Sequence, residues 1–160
     1  MIQFSSHSGI YTLQTKLVIP ISIDEAWEFF SSPKNLAKIT PEHMGFKITS
    51  KITESMFPGQ IISYRIGLLP GIKSNWVTEI THVSKPNFFV DEQRFGPYAM
   101  WHHEHHFEEH ENGVLMTDRV SYKLPLGALG RLFHPLLIKP QLKKIFEYRT
   151  QVLIKKFKST

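Results

Sequence analysis

The chain has 160 residues, a formal net charge of +5, and contents of 41% hydrophobic and 12% aromatic residues. This length and composition fit one globular domain and exclude a chain that is disordered throughout. The absence of cysteine excludes disulfides, thiolate metal sites and cysteine nucleophiles. The sequence has neither a signal-peptide pattern at its start nor a transmembrane run, so we expect a cytoplasmic protein.

The first half of the chain begins with a strand and two short helices. Residues 10–19 alternate and are rich in β-branched side chains, which predicts a strand. Ser22 and Glu25 have the spacing of a capping box, which predicts a helix that runs to about Ser32. A second short helix is predicted over 35–39. We expect a single domain over residues 10–158 and a flexible segment over 1–9.

Regularly spaced turn signals follow from residue 45 onward, without a helical pattern between them. They separate six strand-like runs, which together predict an antiparallel meander. The runs cover residues 45–55, 60–67, 72–83, 87–95, 99–110 and 114–123. The face of the run over 87–95 is ambiguous, because Phe88 and Val90 compete with a stripe of Phe89, Asp91 and Gln93.

A long helical pattern occupies the C-terminal part, to about residue 158. Pro135 and Pro140 interrupt it, so we expect a kink or two helices. A single long helix must bury its apolar stripe, which includes Phe146, against a concave sheet, and this packing predicts a ligand cavity between them. Arg149 lies on the same stripe. We expect its side chain to reach solvent at the edge of the stripe, the alternative being that it points into the cavity toward an anionic ligand or Asp118.

The basic charge is concentrated in this last segment. Residues 131–160 contain eight basic residues and one acidic residue, Glu147, so the segment carries +7 and the rest of the chain −2. A basic amphipathic helix can contact nucleic acid or anionic lipid, but such charge usually forms the solvated face of a docked helix. We therefore expect no nucleic-acid partner and leave transient contact with a membrane surface open.

The most informative stretch is the predicted hairpin over residues 98–123. Asn112-Gly113 favours a two-residue turn, and this turn fixes a register in which one face of the hairpin is mostly apolar and points inward. The register places Phe107 opposite Asp118, His105 opposite Val120, His103 opposite Tyr122, and Trp101 opposite Leu124. We therefore predict that His105 and Asp118 share the concave face, within direct or one-water hydrogen-bond reach.

Three interpretations of these inward polar residues stay open. They form a self-satisfying hydrogen-bonded lining, they recognise a ligand, or they perform acid–base or metal chemistry. His103, His105 and Asp118 could each bind zinc or iron. The inward partners of the two histidines are Tyr122 and Asp118 rather than a clear further His or Glu, so we predict a metal-free site. Alternation also turns Tyr64 and Trp76 inward. The predicted cavity-lining residues are Tyr64, Trp76, Trp101, His103, His105, Phe107, Asp118, Val120, Tyr122, Phe146 and Arg149.

Several motifs together resemble one superfamily. The motifs are Pro20-x5-Ala26-Trp27-x2-Phe30, Trp76-x3-Ile80, Asp91-x-Gln93-x2-Gly96-Pro97, Trp101-x-His103-x-His105-x-Phe107, Thr117-Asp118-x-Val120-x-Tyr122-x2-Pro125 and Gln141-Leu142-x3-Phe146-x2-Arg149. They resemble the SRPBCC superfamily, the START-like helix-grip proteins related to Bet v 1, and within it the small bacterial polyketide cyclase-like or ligand-binding members.

The resemblance implies an α+β fold and a general kind of function. The fold is a curved, seven-stranded antiparallel sheet around a long C-terminal helix, with two short helices after the first strand. The function is binding of a small hydrophobic ligand of lipid, polyketide or aromatic type, without a cofactor. One alternative is an enzyme of cyclase, aromatase or dehydratase type that uses the pocket His, Asp and Tyr residues. A second is an interaction protein that uses the basic helix, its protein partner unknown.

Overall fold

A computed structural model describes residues 2–69 and 72–157, without the side chains of Leu68 and Leu69. The predicted Pro70-Gly71 turn and the predicted domain end at residue 158 lie outside the described residues. The strands are β1 (Ile2–His7), β2 (Ile10–Ile19), β3 (Lys47–Ile48), β4 (Gln60–Leu69), β5 (Ile72–Ser84), β6 (Phe88–Phe95), β7 (Met100–His110) and β8 (Gly113–Lys123). The helices are α1 (Ile23–Phe30), α2 (Pro33–Lys38), α3 (Gly127–Phe133) and α4 (Lys139–Phe157), with a 3₁₀ turn at Glu42–Met44 and a π-helical turn at His134–Ile138.

The described strands form one antiparallel sheet in the order β1-β2-β8-β7-β6-β5-β4-β3. The meander from β3 to β8 follows the predicted connectivity, and β2 closes against β8. The sheet has eight strands rather than the predicted seven, because the segment expected to be flexible forms β1. Ser8 and Gly9 have positive φ angles and turn the chain into a hairpin, so that β1 pairs along β2.

The short helices follow the sequence closely, whereas the first predicted strand of the meander does not. Ser22 and Glu25 make both hydrogen bonds of the capping box at the start of α1. Of the strand predicted over 45–55, only Lys47–Ile48 pairs, at the outer edge of the sheet against β4. This run is mostly polar and exposed, so it has little apolar surface to hold it on the sheet.

The C-terminal helix extends through α3, the π-helical turn and α4. The turn contains Pro135, whose missing N–H removes a helical hydrogen bond, so the expected interruption occurs there. The buried residues of α4 include Leu142, Phe146 and Leu153, and they join two apolar clusters that fill the space inside the sheet. The architecture is therefore the predicted α+β helix grip, with one added strand. Among the described residues, no helix combines the length and the apolarity that a bilayer span requires.

Candidate functional site

The hairpin of β7 and β8 has the predicted faces but not the predicted register. His110 pairs with Gly113, so Glu111 and Asn112 form the turn and every pair is displaced by two residues from the expectation. The pairs are Trp101 with Tyr122, His103 with Val120, His105 with Asp118, and Phe107 with Met116. A displacement of two residues keeps each side chain on its face, so the inward set is unchanged.

Gly113 explains why the turn moves. Its φ angle is +123°, and a Cβ atom at this position would lie 2.1 Å from the carbonyl oxygen of Ile19 on β2. Only glycine tolerates both this backbone conformation and this close approach. The glycine of the Asn112-Gly113 pair is therefore used as the first residue of β8, next to the end of β2, and not as the second residue of the turn.

Three adjacent strands bring ionisable side chains together on the concave face. On β6, Asp91 lies directly opposite His103 of β7. On β8, Asp118 lies directly opposite His105 of the same strand β7. The sequence left the face of β6 undecided, and the structure places the stripe of Phe89 and Asp91 toward the cavity. Asp91 is an ionisable site residue that the sequence did not assign to a face; further apolar lining residues also fall outside the predicted set.

Each imidazole lies between the two carboxylates. Nδ1 of His103 is 3.4 Å from Oδ2 of Asp91, and its Nε2 is 3.4 Å from Oδ1 of Asp118. The Nε2–H of His105 donates to Oδ2 of Asp91 at 3.0 Å, and its Nδ1 is 2.8 Å from Oδ1 of Asp118. Asp118 therefore lies within the predicted reach of His105, although this contact does not have hydrogen-bond alignment.

The two imidazoles differ in their electrostatic surroundings. Burial, together with the neighbouring His105, lowers the pKa of His103. Burial alone would also lower the pKa of His105, but its contacts with Asp118 and Asp91 outweigh this effect and raise it. Burial opposes ionisation of Asp91 and Asp118 as well, and the histidines overcome it and lower both carboxyl pKa values.

Arg149 reaches this cluster from α4. Its side chain is buried rather than extended to solvent, and one guanidinium nitrogen is 3.8 Å from Oδ2 of Asp118. The alternative expectation for this residue is therefore the correct one. With His105 protonated, the two cations balance the two carboxylates, which is the condition for burying such charges.

The cluster forms one wall of a cavity between the sheet, the short helices and α4. The cavity volume is about 150 Å³. Seven of the predicted lining residues contribute to its wall: Tyr64, Trp76, Trp101, His103, His105, Phe146 and Arg149. Further apolar side chains from α1, α2 and β4–β6 complete it, among them Phe29, Leu36, Ile62 and Ile80.

Four predicted residues lie behind the wall. Phe107, Asp118, Val120 and Tyr122 face the concave side but are fully covered by neighbouring side chains and do not line the cavity. The hydroxyl of Tyr122 is hydrogen-bonded to Nε2 of His134 at 2.7 Å, so it pairs with His134 and not with His105. The alternation of the strands identifies the face, but it does not tell which residues the cavity reaches.

Solved structures with this architecture come from bacteria and plants. The protein Ms6760 from Mycobacterium smegmatis has a TM-score of 0.67 at 15% identity, with 98% of each chain covered. A START superfamily protein from the same organism has a TM-score of 0.66 at 10% identity, over 92% of this chain and 97% of that one. The ginseng major latex-like protein 151 from Panax ginseng has a TM-score of 0.68 at 13% identity, over 94% and 99%.

These similarities concern the fold, because the identities are low. No protein-family model matches the chain, and no curated protein matches its sequence. The agreement nevertheless extends over 98%, 92% and 94% of this chain in the three cases. The chain therefore has the START-like helix-grip fold, related to that of Bet v 1, which its sequence motifs resemble.

Proposed function

We propose that the protein binds a small, largely apolar ligand in the cavity between the sheet and α4. The observation that carries this proposal is the lining: aromatic and aliphatic side chains surround most of the space, with fewer polar groups, among them the ionisable cluster at one wall. Ligand pockets generally combine an apolar lining with a small number of placed polar groups. Such a lining contributes binding free energy mainly through the apolar surface that the ligand removes from water.

The cavity volume limits the ligand. An apolar cavity of about 150 Å³ is large enough for a single aromatic ring in other proteins. The volume here is also about 150 Å³, so we expect a one-ring ligand to fit with little rearrangement of the wall. Within the described part of the chain, the buried Nε1–H of Trp76 has no hydrogen-bond partner. We therefore expect the ligand to carry a hydrogen-bond acceptor.

A matched ligand pair tests this proposal. We expect ethylbenzene and acetophenone both to raise the thermal midpoint, acetophenone more because its carbonyl accepts a hydrogen bond. A free ligand concentration of about 100 Kd stabilises the folded state by about 2.7 kcal/mol. If neither compound nor their one-ring analogues shift the midpoint or show saturable calorimetric binding, the proposal is wrong.

Two neighbouring residues of β4 supply a matched pair of variants. Ile62 lines the cavity, whereas Ile61 is 52% exposed on the opposite face of the same strand. We expect Ile62→Phe to fill part of the cavity and weaken acetophenone binding by at least about tenfold, and Ile61→Phe to leave it unchanged. Equal affinities for both variants would place the ligand elsewhere.

An acid–base enzyme is a second candidate, supported by the opposite pKa shifts of the two cavity-lining imidazoles. Groups whose environments push their pKa values apart are suited to separate acid and base roles. His103, whose pKa is lowered, is the candidate base. We expect it to open 5-nitrobenzisoxazole by removing the ring C–H proton as the N–O bond breaks. Loss of this activity in His103→Gln, but not in His106→Gln, is the expected result; equal rates would exclude the role.

An interaction surface is a third candidate, supported by an exposed apolar stripe outside the cavity. The stripe has the spacing of one helical face and consists of Leu129, Leu132, Phe133, Leu136 and Leu137. Residues 119–146 contain no acidic residue, and basic residues border the stripe. This combination fits the surface of an anionic membrane, where apolar residues insert and basic residues contact headgroups.

Vesicle binding tests the third candidate. We expect the protein to sediment with vesicles that contain phosphatidylglycerol, in a salt-sensitive manner, and less with pure phosphatidylcholine. The double variant Leu132→Ser/Leu136→Ser should lose this binding, while Ile61→Ser should retain it. Binding that the double variant retains would contradict the assignment. The cytoplasmic location expected from the sequence stays a prediction.

A further inference from the structure

The sequence offered two inward histidines on β7, accompanied by Tyr122 and Asp118 but by no further His or Glu as a clear third metal ligand. The structure supplies one from the neighbouring strand, since Asp91 lies directly opposite His103. We propose that Asp91, His103 and His105 bind one divalent transition-metal ion, such as Zn²⁺, Co²⁺ or Fe²⁺, at the wall of the cavity. This inference is independent of the proposed ligand binding and opposes the sequence-based expectation of a metal-free site.

The distances among the three side chains suit a common ion. One ligand atom from each residue lies within 4.8 Å of the others. Oδ2 of Asp91 is 3.4 Å from Nδ1 of His103 and 3.0 Å from Nε2 of His105. With metal–ligand bonds of about 2.1 Å, neighbouring ligand atoms around one ion are about 3.0–3.4 Å apart. Two imidazoles and one carboxylate are a donor set typical of zinc and iron(II) sites.

Asp118 is placed to hold both imidazoles from behind. If Nδ1 of His103 and Nε2 of His105 bind the ion, the other nitrogen of each ring faces Oδ1 of Asp118, at 3.4 and 2.8 Å. Histidine ligands commonly donate their second N–H to a carboxylate, which fixes the tautomer and the ring orientation. Both contacts have ion-pair distances but not hydrogen-bond angles, so the rings would reorient to complete them.

The number of N–H groups on the two imidazoles supports the same arrangement. The two rings make four nitrogen–oxygen contacts with the carboxylates, and two neutral imidazoles carry only two N–H groups. With an ion on the Asp91 side, those two N–H groups face Asp118 and the two lone pairs face the metal. Each of the four ring nitrogens then has a partner while both imidazoles are neutral, which avoids burying additional cations.

The position of the ion would leave coordination sites open. Asp91, His103 and His105 all line the cavity, whereas Asp118 lies behind them. Three protein ligands with an open position facing a cavity are the arrangement of zinc sites that bind water or substrate. The ion together with Arg149 would exceed the charge of the two carboxylates by one. We therefore expect the open position to take hydroxide or another anionic oxygen ligand.

Cobalt titration tests the proposal. The full chain is first treated with a chelator to remove bound metal and is then titrated with Co²⁺. We expect one Co²⁺ per chain, with a visible absorption spectrum characteristic of nitrogen and oxygen ligands, and competition by one Zn²⁺. Asp91→Asn, His103→Gln and His105→Gln should lose this signal. His102→Gln and His106→Gln are the matched controls, because their side chains alternate to the other face of the same strand. They should retain it.

A measurement on the unmodified chain covers the case in which a variant fails to fold. The ring of Phe89 stacks on His105 at 4.2 Å, and the ring of Trp101 is 6.2 Å from that of His103. Bound Co²⁺ should therefore shift and broaden the NMR signals of these two rings more strongly than those of Phe88 on the other face of β6. The proposal is overturned if no saturable Co²⁺ or Zn²⁺ binding occurs, if binding survives Asp91→Asn, or if the paramagnetic effects centre on His102 and His106.

Discussion

Replacing Asp118 by asparagine removes one charge from the buried cluster while keeping the size of the side chain. Asp118 is 1% exposed and has three cationic or titratable neighbours, His103, His105 and Arg149. The variant leaves Arg149 next to a neutral amide, and an arginine cannot lose its proton to relieve the imbalance. His105 can lose its proton, because in the variant only the carboxylate of Asp91 would still favour the protonated imidazole.

The magnitude follows from these contacts. Removing one partner of a buried ion pair costs about 3–5 kcal/mol of unfolding free energy, since the remaining charge is left without compensation. Deprotonation of His105 relieves part of that imbalance, so we expect a value near the lower limit, about 3 kcal/mol. For a domain of this size, about 3 kcal/mol corresponds to a lowering of the thermal midpoint by about 6–12 °C.

Glu104→Gln is the control, because it repeats the change on the other face of β7. Glu104 also lies near two histidines, His102 at 3.7 Å and His106 at 3.0 Å, but these side chains are partly exposed. Exposed pairs contribute about 0–1 kcal/mol. Urea unfolding at pH 7 with a chelator present, followed by tryptophan fluorescence, measures both variants. A difference of less than about 1 kcal/mol between them would refute the assigned role of the cluster.

Three further variants, one of them with its own control, test separate parts of the fold. His134→Gln should cost about 1 kcal/mol at pH 7 through its bond with Tyr122 and should flatten the loss of stability between pH 7 and 5, measured by urea unfolding. The sign follows because burial lowers the pKa of His134, so the unfolded chain takes up this proton first as the pH falls. Gly113→Ala should cost at least about 1–3 kcal/mol through backbone strain and contact with β2, and wild-type stability would contradict the assigned turn. Leu153→Ala should cost about 2–5 kcal/mol in calorimetry, and Leu132→Ala, at an exposed position, less than about 0.5 kcal/mol.

Strand faces could be predicted from the sequence, whereas strand registers could not. Alternation assigned His103, His105 and Asp118 to the concave side, and this assignment survives the displacement by two residues. The register depended on which residues form the turn. That choice was made by the contact between Gly113 and β2, a strand distant in sequence, and such tertiary contacts override local turn preferences.

The assignment of Asp91 failed for a related reason. Strand β6 has apolar residues on both of its stripes, since Phe89 and Val90 are both buried, so its alternation carries no directional information. The direction is fixed by pairing with β7, where Asp91 meets His103. Similarly, the sequence pattern of α4 identified Arg149 as a charged residue on an apolar stripe. Only the packing of the helix against the sheet brings it to Asp118.

The location of the buried charged cluster indicates whether it serves stability or binding. A cluster of two carboxylates, two imidazoles and a guanidinium is a poor way to stabilise a core, because well-packed apolar residues of similar volume are often equally or more stabilising. Here the cluster is not in the centre of an apolar core but at the wall of a cavity, with Asp91, His103 and His105 reaching the space and Asp118 supporting them from behind. A purely structural network has no need of this asymmetry. A site that binds an ion or the polar end of a ligand needs groups on the open side that interact, and groups on the closed side that hold them in place.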